Sequence, residues 1–203
     1  MKIAVIGASG RAGSEIALEL ARRGHAVTGI ARNAGKVPAA AGITAVSADA
    51  DDPDGLAAAL KGHDAVVSAI MFHASDPLKL IAAVKASSVK RYLVVGGAGS
   101  LEVAPGVRLV DTPEFPAIYK GEALAGARFL DLLKADTDLD WSFLSPSALF
   151  DVGPHTGAFR LGTDQLLVSA EGKSFISFAD YAIAMADEIE KPAHVRRRFT
   201  VGT

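Results

Sequence analysis

The chain has 203 residues, half of them hydrophobic, with few aromatics and no cysteine. That length suits one domain with a full core, and the missing cysteines exclude disulfides, thiolate catalysis and cysteine-based zinc sites. A net charge of −2 offers no field for nucleic acid or an anionic membrane, and the one basic run, Arg196 to Arg198, reads as a solvated strand.

The elements follow in order. Lys2 to Ile6 is an apolar run ending at glycine, as buried parallel strands do. Arg11 to Arg23 is an amphipathic helix, with Ala12, Ile16 and Leu20 on its apolar line and Gly24 as its stop. Strands are expected over His25 to Ala31, Ile43 to Ser47, Asp64 to Ile70, Arg91 to Val95 and Asp140 to Leu144. Helices are expected over Pro53 to Lys61, Asp76 to Ala86 and Pro116 to Lys134, each with proline at or near its start. This alternation predicts an α/β fold, a doubly wound parallel sheet with right-handed crossovers. The last quarter differs. Phe159 to Leu161, Leu166 to Ser169 and Arg197 to Val201 are short strand candidates. Ser177 caps a final helix whose Phe178, Ala182, Met185 and Ile189 share a face. The whole chain, 1–203, reads as a single domain, with residues 150–177 as a small C-terminal substrate-side lobe within it. The chain starts directly on a strand, so no signal peptide is expected, and no apolar segment is long enough to span a bilayer. The expected setting is cytoplasmic.

The first strand runs into Gly7-Ala-Ser-Gly10-Arg-Ala-Gly13, spaced G-x-x-G-x-x-G, and a helix begins inside the loop. Gly7 permits the tight turn, Gly10 lets the backbone approach a pyrophosphate, and Gly13 lets helix pack on strand. The helix N-terminus adds free N–H groups and a partial positive charge. Between a buried strand and an amphipathic helix, with further βα units behind, this loop predicts dinucleotide binding. An NAD site usually ends its second strand on Asp or Glu, to bond the ribose 2′-hydroxyl. Here that strand ends Gly29-Ile-Ala-Arg32. Arg32 suits a 2′-phosphate, and Arg11 offers a second contact, so NADP(H) is preferred and NAD(H) is the alternative.

Together, GASGRAG, Arg32, Asp49 after the third strand, GGAGS after the fifth and DWSFLSPSALF at the sixth form an ordered set. The set resembles the atypical short-chain dehydrogenase/reductase superfamily, in the NAD(P)H-binding branch with the NADH-flavin reductases and biliverdin reductase B. Many such chains are called NAD-dependent epimerase/dehydratase family proteins. The likeness runs through the tail, from GAFRLG through ISFADYA to RRRFTV. It implies an NAD(P)-binding Rossmann fold. It implies cofactor contacts at Gly7, Ser9, Gly10, Arg11, Ala12 and Gly13, at Arg32, and at Asp49 and Ala50 beside the adenine. It also implies Ser68, Ala69 and Ile70 along the ribose, Gly96 and Gly97 near the nicotinamide, and Ser145 and Pro146 over its ring.

Main-branch members carry Tyr-x-x-x-Lys on the long helix, the lysine lowering the tyrosine pKa. Here Tyr119 is followed four residues on by Ala123, and Lys120 points about 100° away around the helix. Alcohol oxidoreduction and sugar epimerisation of the usual type therefore lose their acid. Flavin or quinone reduction needs less, because the cofactor brings the hydride and the site brings orientation. The expectation is an NADPH-dependent reductase of a planar small-molecule acceptor, with FMN or FAD possible as substrate, and with Ser100, Ser147 and Tyr119 as the catalytic candidates. His155 is a further candidate proton donor. The alternative is a non-enzymatic redox sensor of the NmrA-like type. The chain is expected as a monomer or homodimer, without nucleic-acid or membrane partners. The five histidines form no metal-ligand spacing, and the run Asp49, Asp51, Asp52, Asp54 lacks the fifth- and twelfth-position ligands of a calcium loop.

Overall fold

The computed structural model describes residues 1–203. Its elements are β1 (Lys2–Ile6), α1 (Arg11–Arg22), β2 (Ala26–Ala31), β3 (Ile43–Ser47), α2 (Pro53–Leu60), β4 (Ala65–Ser68), α3 (Pro77–Ala86) and β5 (Arg91–Val95). They continue as β6 (Glu102–Ala104), β7 (Val107–Arg108), α4 (Ala117–Ala135), β8 (Asp140–Ser145), β9 (Leu149–Asp151), β10 (Arg160–Gly162), β11 (Phe175–Ser177), α5 (Phe178–Glu190) and β12 (Arg197–Gly202).

Eight strands form the main sheet in the order β10-β12-β8-β5-β4-β1-β2-β3. All pairs are parallel except β10 with β12. The order reverses at β1, which lies between β2 and β4, so the chain leaves the strand ends there in opposite directions and opens a crevice. The predicted fold is present.

Successive side chains of a strand face opposite ways, and β1 shows the consequence. Ile3 and Val5 join one core with Ile16 and Leu20 of α1 and Met185 and Ile189 of α5. Ala4 and Ile6 join the other with Leu56 of α2, Leu80 of α3 and Phe129 of α4. The sheet is therefore apolar on both faces, and all its ligand chemistry is confined to the loops at its ends. No helix is long and apolar enough to cross a membrane.

The tail departs from expectation. Leu166 to Ser169 is not a strand, and an isolated bridge from Gln165 to Glu102 takes its place. Two small pairings were not anticipated: β6 with β7 antiparallel, and β9 with β11 parallel. Each is only two or three residues a side, too short for a period-2 pattern to be visible. The segment 150–177 is split between them, because β10 joins the main sheet while β11 pairs with β9.

Candidate functional site

The turn after β1 is held by backbone bonds and by the absence of side chains. Gly7 has φ +83°, and a Cβ there would lie 2.6 Å from the Ala69 carbonyl oxygen. A Cβ on Gly13 would lie 2.2 Å from the Gly7 carbonyl oxygen. No other residue fits either place without moving backbone. Gly10 is the N-cap of α1, with no side-chain cap and no acid in the first turn. The N–H groups of Ser9, Arg11, Ala12 and Gly13 consequently find no protein acceptor, while those of Gly10 and Ser14 do. Four unpaired donors at a helix N-terminus, over a surface stripped of Cβ atoms, fit the pyrophosphate of a dinucleotide.

A cavity of about 270 Å³ opens beside this turn, at the carboxyl ends of β1 to β4. It gathers Gly7, Ser9 and Gly10, Arg32, Asp49 and Ala50, and Ala69 and Ile70, eight of the predicted contacts. Arg32 is exposed there, and the neighbouring Asp49 uses one carboxylate oxygen to accept the Asp51 N–H at 3.0 Å. Ser68 does not reach this cavity. It is buried at the end of β4, and the following Ala69 and Ile70 form the wall. The side chain of Arg11, expected as a second contact to the 2′-phosphate, lies elsewhere, while its N–H stays among the free donors. Its guanidinium bonds Asp151 of β9 at 3.2 Å and lies 5.2 Å over the Phe178 ring, away from the adenosine end. A residue at the first helical position points outward from the glycine turn, so sequence proximity to the phosphates does not bring its side chain to them.

A second cavity, of about 740 Å³, lies at the ends of β5 and β8 and against the start of α4. Gly96, Gly97, Pro146 and Tyr119 line it. Gly96 is required by packing, since a Cβ would stand 2.5 Å from the Phe143 ring and 2.6 Å from the Leu144 carbonyl oxygen. The loop after β4 walls both cavities: Ile70 faces the smaller and Phe72 the larger. Tyr119 is 62% exposed at the rim. Ala123 packs on Gly99, where a Cβ would come within 2.5 Å of the alanine's own. The missing lysine is thus built into the contact between α4 and the β5 loop.

Two serines proposed as catalytic have structural duties instead. Ser147 is 1% exposed and its hydroxyl donates to the Val201 carbonyl at 3.1 Å. Ser100 receives Arg198 Nη1 on its carbonyl at 3.1 Å and on its hydroxyl at 3.2 Å. Ser145 is fully buried, and its carbonyl accepts the Thr200 hydroxyl at 2.9 Å. His155 is also elsewhere, 3.4 Å from Glu19 in a crevice between α1 and α5. The basic run is not uniformly solvated either. Arg198 has a side chain only 7% exposed, and it joins Ser100 to Asp164.

The sequence reading missed Glu122. It accepts the N–H groups of Phe72 and His73 at 2.7 and 2.9 Å, pairs with the His73 ring, and lines the larger cavity. Its signal was its place three residues after Tyr119, on the same helix face.

A doubly wound parallel sheet with a glycine turn at its switch point defines the class of NAD(P)-binding Rossmann proteins. Residues 7–192 match the family described as NAD(P)H-binding, and the chain belongs to that family. It is 45% identical over 212 residues to YwnB of Bacillus subtilis (strain 168), itself uncharacterised, covering 99% of this chain and 98% of that one. Among solved structures, a Burkholderia pseudomallei protein described as a candidate exported protein is 46% identical, with a TM-score of 0.91 and all of both chains covered. A Streptococcus pneumoniae TIGR4 protein described as a candidate NADH-flavin reductase is 38% identical, with a TM-score of 0.84 over 100% of this chain and 99% of that one.

Proposed function

We propose that this protein is an NADP(H)-dependent oxidoreductase that reduces a planar flavin-like or quinone-like acceptor. One observation carries the reading: a largely apolar cavity of about 740 Å³ stands beside the dinucleotide turn, with one loop forming a wall of each. A cavity of this size falls in the range that takes a drug-sized small molecule. The likeness to the streptococcal protein supports the acceptor class. When bound, the dinucleotide supplies a hydride, and the acceptor completes its reduction with one proton from solvent.

The chain's own residues hold and orient. The four free N–H groups at α1 take the pyrophosphate, Arg32 takes a 2′-phosphate, and Asp49 and Ile70 flank the adenosine. Gly96, Gly97 and Pro146 form the floor under the acceptor. Tyr119 stands at the rim as a hydrogen-bond donor, without a lysine to activate it. That same lack favours a second reading, a dinucleotide sensor without turnover. The two are separated by mixing the protein with NADPH and a quinone or flavin and following loss of the reduced-nicotinamide absorbance. Oxidation above background is expected, and none with any acceptor would leave the sensor. For the cofactor, Arg32→Ala should weaken NADPH binding by about 1.5–3 kcal/mol and leave NADH unaffected. Equal losses for both would remove Arg32 from the 2′-phosphate.

A further inference from the structure

The larger cavity has a charge pattern that a reductase does not in itself require. None of its 21 lining residues is Lys, Arg or His, while two are glutamates, Glu114 and Glu122. Glu122 is held by the Phe72 and His73 N–H groups and pairs with the His73 ring, which is not part of the lining. Glu114 is exposed at the lip. Four cations stand next to the lining without being part of it. Lys120 and Lys173 are exposed, Arg108 is committed to Asp111 at 2.7 Å, and Arg160 is held by the Val168 and Thr203 carbonyls at 3.0 Å. The N-terminus of α4 brings a positive partial charge to the wall at Pro116, and Glu114, two residues before that cap, offsets it. The remaining polar lining is hydroxyl: Thr112, Tyr119 and Ser174. Apolar side chains continue to the rim, where Leu149 is 56% and Val168 43% exposed.

We propose that this cavity selects an uncharged planar acceptor, a quinone or a flavin without its phosphate, and rejects phosphorylated, sulfonated or carboxylated counterparts. The proposal rests on the reductase reading and narrows its substrate. An anionic group entering the cavity loses water, gains no salt bridge and meets two carboxylates. An uncharged ring loses little water and gains apolar contact. The redox balance is quinone plus NADPH plus one proton giving hydroquinone plus NADP⁺, so no further co-reactant is needed.

The experiment uses two matched pairs: riboflavin against FMN, and 1,4-naphthoquinone against its 2-sulfonate. Binding to the intact protein with NADP⁺ present is measured by fluorescence quenching for the flavins and by equilibrium dialysis for the quinones. The neutral member of each pair should bind about tenfold tighter or better, and the ratio should shrink as salt is raised. Glu114→Lys should reduce the flavin ratio to about threefold or less, and Glu114→Gln should fall between. Equal or tighter binding of the anions overturns the proposal, and so does failure of both neutral ligands to bind. NADPH oxidation is then followed with the same four compounds. Charge-selective binding without oxidation would remove the reductase reading and leave the charge rule standing.

Discussion

At Ala123 one methyl group decides what chemistry the long helix can run. Its Cβ stands against Gly99, and the β5 loop passes so close that even an alanine at 99 would collide. Rebuilding the Tyr-x-x-x-Lys spacing with Ala123→Lys should therefore not create an alcohol dehydrogenase. It should cost about 1–3 kcal/mol through overpacking against that loop, read from the urea midpoint. Full stability together with new alcohol oxidation would refute this. Gly13 makes a similar case at the cofactor turn. Gly13→Ala places a methyl carbon on the Gly7 carbonyl oxygen, and backbone cannot yield as a side chain can. We expect loss of dinucleotide binding in titration calorimetry, with a lowered melting temperature. Retained affinity would mean that the turn adapts and that the glycine is a convenience.

At the scale of elements, α5 depends on its first residue. Ser177 is fully buried, accepts the Asp180 N–H at 2.9 Å and donates to the Pro154 carbonyl at 2.7 Å. Asp180 in turn holds the N–H groups of Thr156 and Gly157 at 2.7 and 2.9 Å. One capping turn thus ties the helix to the loop before β10. Ser177→Ala should cost about 1–2 kcal/mol, because the buried Asp180 N–H loses its partner and the Pro154 carbonyl loses its donor. A change under a few tenths of a kcal/mol in denaturant titration would show that solvent reaches both groups. The capping pair was legible from the sequence as Ser177 followed by Asp180, because a cap is local. The tie to residues 156 and 157 was not, because it joins groups more than twenty residues apart.

Across the whole molecule, stability at low pH is set by carboxylates that the fold pays to bury. For Glu188, burial pushes the carboxyl up, but the His194 ring, the N–H groups of His194 and Ala193, and Arg91 outweigh it, leaving it below its usual value of 4.5. Glu19 is lowered from the same value, with Arg22 and Arg23 outweighing burial. A folded-state pKa below the unfolded one means stability that is present above the unfolded value and lost as pH falls through the folded one. Unfolding free energy should therefore be steady at neutral pH and fall progressively below about pH 4.5. Glu188→Gln should flatten that acid limb. An unchanged slope would place the sensitivity on other groups.

Local chemistry determined what the sequence alone could reveal: the alternating elements, the sheet class, the glycine turn and Arg32 at the second strand end. Each depends on neighbours along the chain, through hydrophobic period, turn geometry and helix capping. Tertiary structure decided which side chains reach the ligand. The Arg11 side chain turns to Asp151, Ser100 and Ser147 are taken by Arg198 and Val201, and Glu122 arrives unannounced in the larger cavity. These outcomes turn on contacts between segments distant in sequence, where direction and burial, rather than residue type, fix what a side chain can bind.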